Sequence, residues 1–298
     1  MVVWTILVSI VILMMIYCHV ETRMLKLSHY IAESSKIPDS LSGRRAVLLS
    51  DLHNTYFGKD NKRLFDMIEK AKPDFVLIAG DMINGTSSTG QFRYASEVLT
   101  KLGEMKIPVY YAFGNHECRL EGYFNNEGAY KQYSDICGKS SILLNNAAVC
   151  PDEDSGTSDP KYRYKIYGVV FSPSQFRPEA KYSLEKPVSD HIGEADKDCY
   201  NILIAHDPTY FKEYMEWGAD LVVSGHIHGG IIRLPFIGGL ISPRYCLFPK
   251  IDKGLYRNED GRMMIVSGGI GWHALPFRFM NLPEIVAIDF LKAKDDKG

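Results

Sequence analysis

AVLLSDLHNTYFGKDNKRLFDMIEKAKPDFVLIAGD, residues 46–81, begins and ends with a short apolar run that closes on an acid. Between AVLLSD (46–51) and FVLIAGD (75–81), Leu64, Phe65, Ile68 and Ala71 share one helical face, and Pro73 stops the helix. The order is strand, helix, strand. The same grammar recurs downstream. Phe92, Ala95, Leu99 and Leu102 stand at helical spacing and lead into PVYYAFGNHE (108–117), while NILIAHDP (201–208) and LVVSGHIH (221–228) flank a short helical stretch from Phe211 to Trp217. Five apolar strands therefore end in Asp, Asn or His. Apolar strands alternating with helices predict an α/β fold whose sheet is covered on both faces. Ligands of such sheets bind beyond the carboxyl ends of the strands, where these polar residues collect. YRYKIYGVV (162–170) alternates like a half-exposed strand, so the sheets are expected to be mixed, and PDEDSGTSDP (151–160) reads as a turn-rich acidic loop.

The chain has 298 residues, 46% apolar and 23% charged, enough for one large core or two small ones. Its formal net charge of -2 and lack of a Lys/Arg-rich block supply no electrostatic footprint for nucleic acid, which is not expected as a partner. Nothing points to an obligate protein partner either. The six cysteines are scattered without a CxxC pair, which fits a reducing compartment better than a disulfide framework.

The N-terminus departs from this globular pattern. Residues 2–18, VVWTILVSIVILMMIYC, carry no charged side chain and as a helix would span roughly 25 Å, close to the hydrocarbon core of a bilayer. Only Met1 precedes the run and Tyr17-Cys18-His19 closes it, which suits neither a cleaved signal peptide nor a lipoprotein site. We read residues 1–20 as an uncleaved single-pass anchor in the cell membrane, the alternative being a buried core helix. Trp4 and Tyr17 suit the two interfaces, and Arg23 and Lys26 just after the span favour a cytoplasmic catalytic domain. Residues 21–45 are polar and mixed, an expected juxtamembrane arm before the folded domain at 46–292.

The strand-end inventory is Asp51 and His53, Asp81, Asn115 and His116, His206, and His226 with His228. Carboxylates and imidazoles without thiolates suit Mn, Fe or Zn and disfavour a structural cysteine-type zinc site. These eight residues suffice for two divalent metal ions. Asp-x-His and His-x-His at strand ends send alternate side chains to one side, and the glycines of GHIHGG (225–230) let backbone approach ions and substrate. A lone DxH or GD is usually an ordinary turn; the ordered, complete set carries the inference.

In that order DLH at 51, GD at 80, GNHE at 114, His206 and GHIH at 225 resemble the five-block signature of calcineurin-like metallophosphoesterases. The resemblance covers residues 46–230 and implies a four-layered α/β/β/α sandwich with mixed sheets and a binuclear site at one edge. It implies that Asp51, His53 and His228 hold one metal and Asn115, His206 and His226 the other, with Asp81 bridging. It also implies that His116 is an outer-sphere catalytic histidine acting on the leaving oxygen, oriented by Glu117 where many relatives carry Asp. The anchor, SDLHNTYFG, HGGIIRLPFIGGLISP and LPFRFMNLPEIVAIDF look like the membrane-anchored branch, some of whose members resemble UDP-2,3-diacylglucosamine pyrophosphatases.

Ile231 departs from the glutamine common after the paired glycines. The apolar segment 231–249 is read as buried strand and loop, with a cover over the site or contact with lipid as the alternative. SGGIGW (267–272) with His273 lines a phosphate pocket or makes a tight turn. His191 is expected on a solvated loop and Cys118 as a buried thiol. The expected activity is hydrolysis of a phosphodiester or pyrophosphate, in a substrate that is lipid-linked or nucleotide-linked, with Mn expected as the metal and Fe or Zn as substitutes. A phosphomonoesterase or protein phosphatase uses the same core, and a non-catalytic scaffold would be expected to lose ligands that are present here.

Overall fold

The computed structural model describes residues 1–86, 89–122, 126–152, 163–176, 183–230, 232–234, 236–241, 247–272 and 276–294. The expectations for Ile231 and His273, and most of the acidic loop, lie outside them.

Two six-stranded mixed sheets face each other. In the first, β1 (Lys26–Ser34), β2 (Arg45–Leu49), β3 (Phe75–Ala79), β4 (Val109–Ala112), β5 (Ile142–Leu143) and β14 (Glu284–Lys292) run in the order β1-β14-β2-β3-β4-β5. In the second, β6 (Ala147–Val149), β7 (Tyr164–Val169), β8 (Tyr200–Ala205), β9 (Leu221–Ser224), β12 (Gly254–Arg257) and β13 (Met263–Val266) run in the order β12-β13-β9-β8-β7-β6. A two-stranded hairpin, β10 (Arg233–Leu234) with β11 (Gly238–Gly239), stands apart.

The layering follows from the two-residue period of a strand. In β2 and β3, Val47, Leu49, Val76 and Ile78 face the helices α2 (Lys62–Ala71), α3 (Phe92–Glu104) and α5 (Glu127–Gly138), whereas Ala46, Leu48, Leu77 and Ala79 face the second sheet. Ile202, Ile204, Leu221 and Val223 of β8 and β9 meet them there, and Leu203 and Val222 turn outward to Tyr214 and Met215 of α7 (Phe211–Trp217). Strands apolar on both sides thus become the middle of an α/β/β/α sandwich. Helix α2 shows how the local sequence sets an element: Leu64, Phe65, Ile68 and Ala71 are its buried face, and Lys72 in the left-handed region before Pro73 ends it.

The strands β2, β3 and β4 are mutually parallel, as are β7, β8, β9 and β13. Their carboxyl ends therefore lie along one edge of the sandwich. Helix α1 (Val2–Glu21) projects from the domain: an 18-residue window of it has mean hydropathy 2.3 and is only 6% buried, so the buried-core alternative does not describe it.

Three expectations are corrected. Residues 26–34 are not an arm, because β1 pairs with β14 over nine residues and extends the first sheet. The strand at 164–169 is almost wholly buried rather than half-exposed, since β6 and β8 flank it and both faces are covered. His191 is half-buried in the short helix α6 (Ser189–Ile192), edge-on to Phe171 at 5.2 Å, rather than on a solvated loop. Cys118 is a buried thiol as expected.

Candidate metal centre

Each proposed ligand stands within four residues of a strand's carboxyl end. Asp51 and His53 follow β2, Asp81 follows β3, Asn115 and His116 begin α4 (Asn115–Gly122) after β4, His206 follows β8, and His226 and His228 follow β9. All are buried. Asp51, His53, Asp81, His226 and His228 take left-handed backbone conformations with φ between 45° and 68°. Asp and His tolerate that region better than most residues, at a cost that clusters at functional sites. The turns reverse the chain sharply enough to aim side chains from both sheets at one point.

Close backbone approach requires glycine at two of these turns. A Cβ on Gly225 would lie 2.3 Å from Asp51 Oδ2, and one on Gly114 would lie 2.3 Å from Asp81 Oδ1. Gly225, the first residue of GHIHGG, thus makes room for the carboxylate of the opposite sheet. Asp51 in turn accepts the backbone N–H of His226 at 3.1 Å, and His206 donates Nδ1–H to the Ala79 carbonyl at 2.6 Å, so the sheets are cross-tied at the site.

His53 Nε2 lies 3.1 Å from His228 Nε2, which is 3.3 Å from Asp51 Oδ1. His206 Nε2 is 3.1 Å from Asp81 Oδ2, and His53 Nε2 and His116 Nε2 each approach that oxygen to 3.8 Å. Ligand atoms about 2.1 Å from a shared metal stand roughly 3.0 to 3.4 Å apart in octahedral or tetrahedral geometry. Three groups of potential ligands converge, each with its ligand atoms within 4.8 Å of one another: Asp51, His53 and His228; Asp81, His206 and His226; and His53, Asp81 and His116. The Asn115 side-chain oxygen is buried without a hydrogen-bond donor, as an oxygen reserved for a cation would be. The donor set, hard oxygens and imidazole nitrogens with no thiolate, fits divalent metals.

Electrostatics point the same way. Burial works to raise the Asp81 carboxyl, but His206, His116 and His53 hold it well below the usual range. Burial pushes Asp51 up to about 6, helped by Asp81 and opposed by His206. His206, despite burial, is carried up to about 10 by Asp81. Such a cluster retains protons that metal binding would displace.

The His116 ring donates Nδ1–H to the Asn84 carbonyl at 2.6 Å, which leaves Nε2 facing the ligand cluster. The expected orienting role of Glu117 is therefore corrected. Its carboxylate instead accepts the backbone N–H groups of Asp81 and Gly114, both at 2.9 Å, and of Met82 at 2.7 Å, together with the Tyr111 hydroxyl at 2.8 Å. It faces the backbone because the first turn of α4 stacks it over the β3 turn that carries Asp81. Burial, and then Asp81, push its carboxyl up to about 7, against the Tyr111 and backbone donors. Glu117→Gln would turn an amide NH₂ toward N–H donors in either flip. A loss of about 3 kcal/mol is expected, read as an apparent thermal midpoint lowered by roughly 6 to 12 °C.

Sequence reasoning missed several supporting residues. Arg119, one turn beyond His116, brings Nη1 to 3.2 Å from His116 Nε2; its i, i+3 spacing was the available signal. Buried Arg278 donates to the carbonyls of Gly268, Gly269 and Gly271, and so holds SGGIG, whose Ile270 and Gly271 N–H groups bond to the Ser50 and Asp51 carbonyls. A Cβ on Gly269 would lie 2.9 Å from Asp51 Cβ, so this stretch is a tight turn packed behind the ligands. Asn281 Nδ2 donates to the carbonyls of His228 and Gly230, at 2.6 and 2.7 Å.

The profile of the family described as Calcineurin-like phosphoesterase matches residues 44–230, well over half of the chain. The chain belongs to this family. Members are metal-dependent phosphoester hydrolases that use divalent metals, and this calcineurin-like phosphoesterase carries clusters of potential metal ligands at the sheet edge. A Danio rerio protein named "Transmembrane protein with metallophosphoesterase domain" is 30% identical over 270 residues, covering 85% of this chain and 54% of its own length. The chain thus spans about half of that relative. An uncharacterized metallophosphoesterase of Bacillus subtilis (strain 168) is 27% identical over 272 residues, with 90% of this chain and 86% of the relative covered. Another from Aquifex aeolicus (strain VF5) is 25% identical over 281 residues, covering 94% and 97%.

Proposed function

We propose that this calcineurin-like phosphoesterase is a membrane-anchored binuclear enzyme that hydrolyses a phosphodiester or pyrophosphate bond. The observation that carries the reading is the convergence, from both sheets, of Asp51, His53 and His228 beside Asp81, His206 and His226. Asp51, His53 and His228 hold one metal, Asn115, His206 and His226 the other, and Asp81 stands between them. Manganese suits these oxygen and imidazole donors, with iron or zinc as substitutes. The anchor is α1, twenty residues long and largely exposed, and the Danio rerio relative is named a transmembrane protein. Arg23 and Lys26 after the span favour a catalytic domain on the cytoplasmic side.

Two bound metals, when present, supply an activated water and a clamp on the phosphoryl oxygens. The chain does the rest. Gly225 and Gly114 keep carboxylates and backbone in contact and the centre compact. Buried walls exclude bulk water, so charges act in a medium of low dielectric. The Asn84 carbonyl accepts the Nδ1–H of His116, so Nε2 is the nitrogen at which the imidazolium would hold a second proton for the leaving oxygen. The guanidinium of Arg119, beside that ring, attracts a phosphoryl oxygen.

The test is hydrolysis of bis(p-nitrophenyl) phosphate and p-nitrophenyl phosphate by the full chain in detergent, titrated with Mn²⁺. Faster turnover of the diester that saturates with metal is expected. A strong preference for the monoester would assign the site to a phosphomonoesterase, and a folded, metal-loaded chain inert toward both would support a scaffold.

A further inference from the structure

The apolar segment after GHIHGG was expected to be buried, and the structure corrects that expectation. Phe236 is fully exposed, Ile237 is 61% exposed, and Leu247 and Phe248 are 60% and 56% exposed. Met280, from the loop before β14, is also exposed. Phe236, Phe248 and Met280 all take positive φ, near 66°, 51° and 52°, a conformation unusual for bulky side chains that fixes them at turn tips pointing outward. Arg233, Leu234, Phe236, Ile237, Lys250 and Met280 line a shared cavity of about 580 Å³ together with Asp252, whose carboxylate pairs with Arg233 at 2.8 Å. Clustered exposed apolar tips of this kind mark an interaction surface.

The end of α1 fixes where this surface lies. The Tyr17 ring meets the Phe279 ring edge-on at 5.8 Å, and the buried Glu21 carboxylate accepts the backbone N–H groups of Met280 and Asn281. Phe279 in turn bridges to Ile232 and accepts the Arg233 N–H at 3.0 Å. The apolar tips are therefore tied to the last turns of the helix, at the level where a spanning segment leaves the hydrocarbon. Exposed Arg23 and Lys26, just beyond that helix, add cations at headgroup depth.

We propose that Phe236, Ile237, Leu247, Phe248 and Met280 form a second membrane contact, a foot inserted into the interfacial layer of the bilayer beside the end of α1. The proposal rests on the reading of α1 as a membrane span and adds the orientation of the domain. Arg233 Nη1 donates to the Gly229 carbonyl, and Asn281 holds the carbonyls of His228 and Gly230. The segments that enter the lipid thus also brace the metal-bearing loop, and the catalytic edge faces the bilayer. Its substrate class is a phosphoester carried at the membrane surface.

The test uses the full chain in nanodiscs whose lipids carry bromine near the headgroup end of the acyl chains. Tryptophan emission is compared among wild type, Trp4→Phe and Phe236→Trp, so that differences isolate positions 4 and 236. Both are expected to be strongly quenched by the brominated lipid and shielded from aqueous acrylamide, and Ile237→Trp is expected to repeat the result. Quenching at position 4 without quenching at 236 or 237 would overturn the foot and leave the span standing. Protection from acrylamide without quenching by lipid would assign the patch to a protein partner, which also overturns the proposal. No quenching at position 4 would remove the span, and the proposed orientation with it.

Discussion

His116→Ala is expected to lower kcat on a diester by about 10²- to 10⁴-fold, the range a positioned general acid contributes, while both metals are retained. The Asn84 carbonyl accepts the hydrogen bond of Nδ1–H, so the nitrogen left for chemistry is Nε2, which is 3.8 Å from Asp81 Oδ2 and close to the Arg119 guanidinium. Protonated to the imidazolium, His116 would give its Nε2 proton to the leaving oxygen. The loss should therefore grow with leaving-group basicity: small for p-nitrophenolate, which departs unaided, and large for an alkoxide, which needs the proton. Metal content by plasma emission spectroscopy, with kcat on aryl and alkyl diesters, provides the check. Uniform loss with both leaving groups, accompanied by loss of metal, would place His116 among the ligands with His53 and Asp81, a grouping their spacing permits.

The strand ends were legible because one physical demand wrote them. A strand covered on both faces must be apolar throughout, so the first polar residue after LVVS or FVLIA marks the edge where side chains escape the core. Helix 211–217 and the helical faces of α2 and α3 were legible from their spacing in the same way. Edge strand β1 was not, because KLSHYIAES is half-exposed at a sheet margin and its polar residues look like an arm. Glu117 was misread for a different reason. Sequence adjacency to His116 suggested a side-chain pair, yet neighbouring residues on a helix diverge by about 100°, and the glutamate turned to the backbone of another turn. Arg278, Asn281 and Glu21 act on backbone carbonyls and amides far away in sequence, a relation with no periodicity to read. The exposed tips at Phe236 and Phe248 lie in a segment read as buried strand and loop, with lipid contact as the alternative, because apolar composition alone cannot separate a core from an exposed apolar surface.

Asp81→Asn is the sharpest test of the proposed binuclear arrangement. The amide is nearly isosteric and keeps an oxygen for the backbone N–H of His116, which Asp81 Oδ1 accepts at 2.8 Å. Only the charge and the second oxygen change, and that oxygen is the one approached by His206 at 3.1 Å and by His53 at 3.8 Å. An amide nitrogen there cannot bind a cation. Since outer-shell partners of metal ligands cost about 10- to 100-fold when removed, loss of a shared anionic ligand should exceed that, with kcat/KM falling by more than about 100-fold and excess Mn²⁺ failing to restore it. The comparison that isolates bridging is Asp51→Asn, which alters a carboxylate assigned to one metal only. If Asp81 lies between the two metals, its variant should lose occupancy at both positions, whereas the Asp51 variant should lose it at one. Equal single losses in the two variants would assign Asp81 to one metal, and another group, such as a solvent oxygen, would then have to hold the pair together.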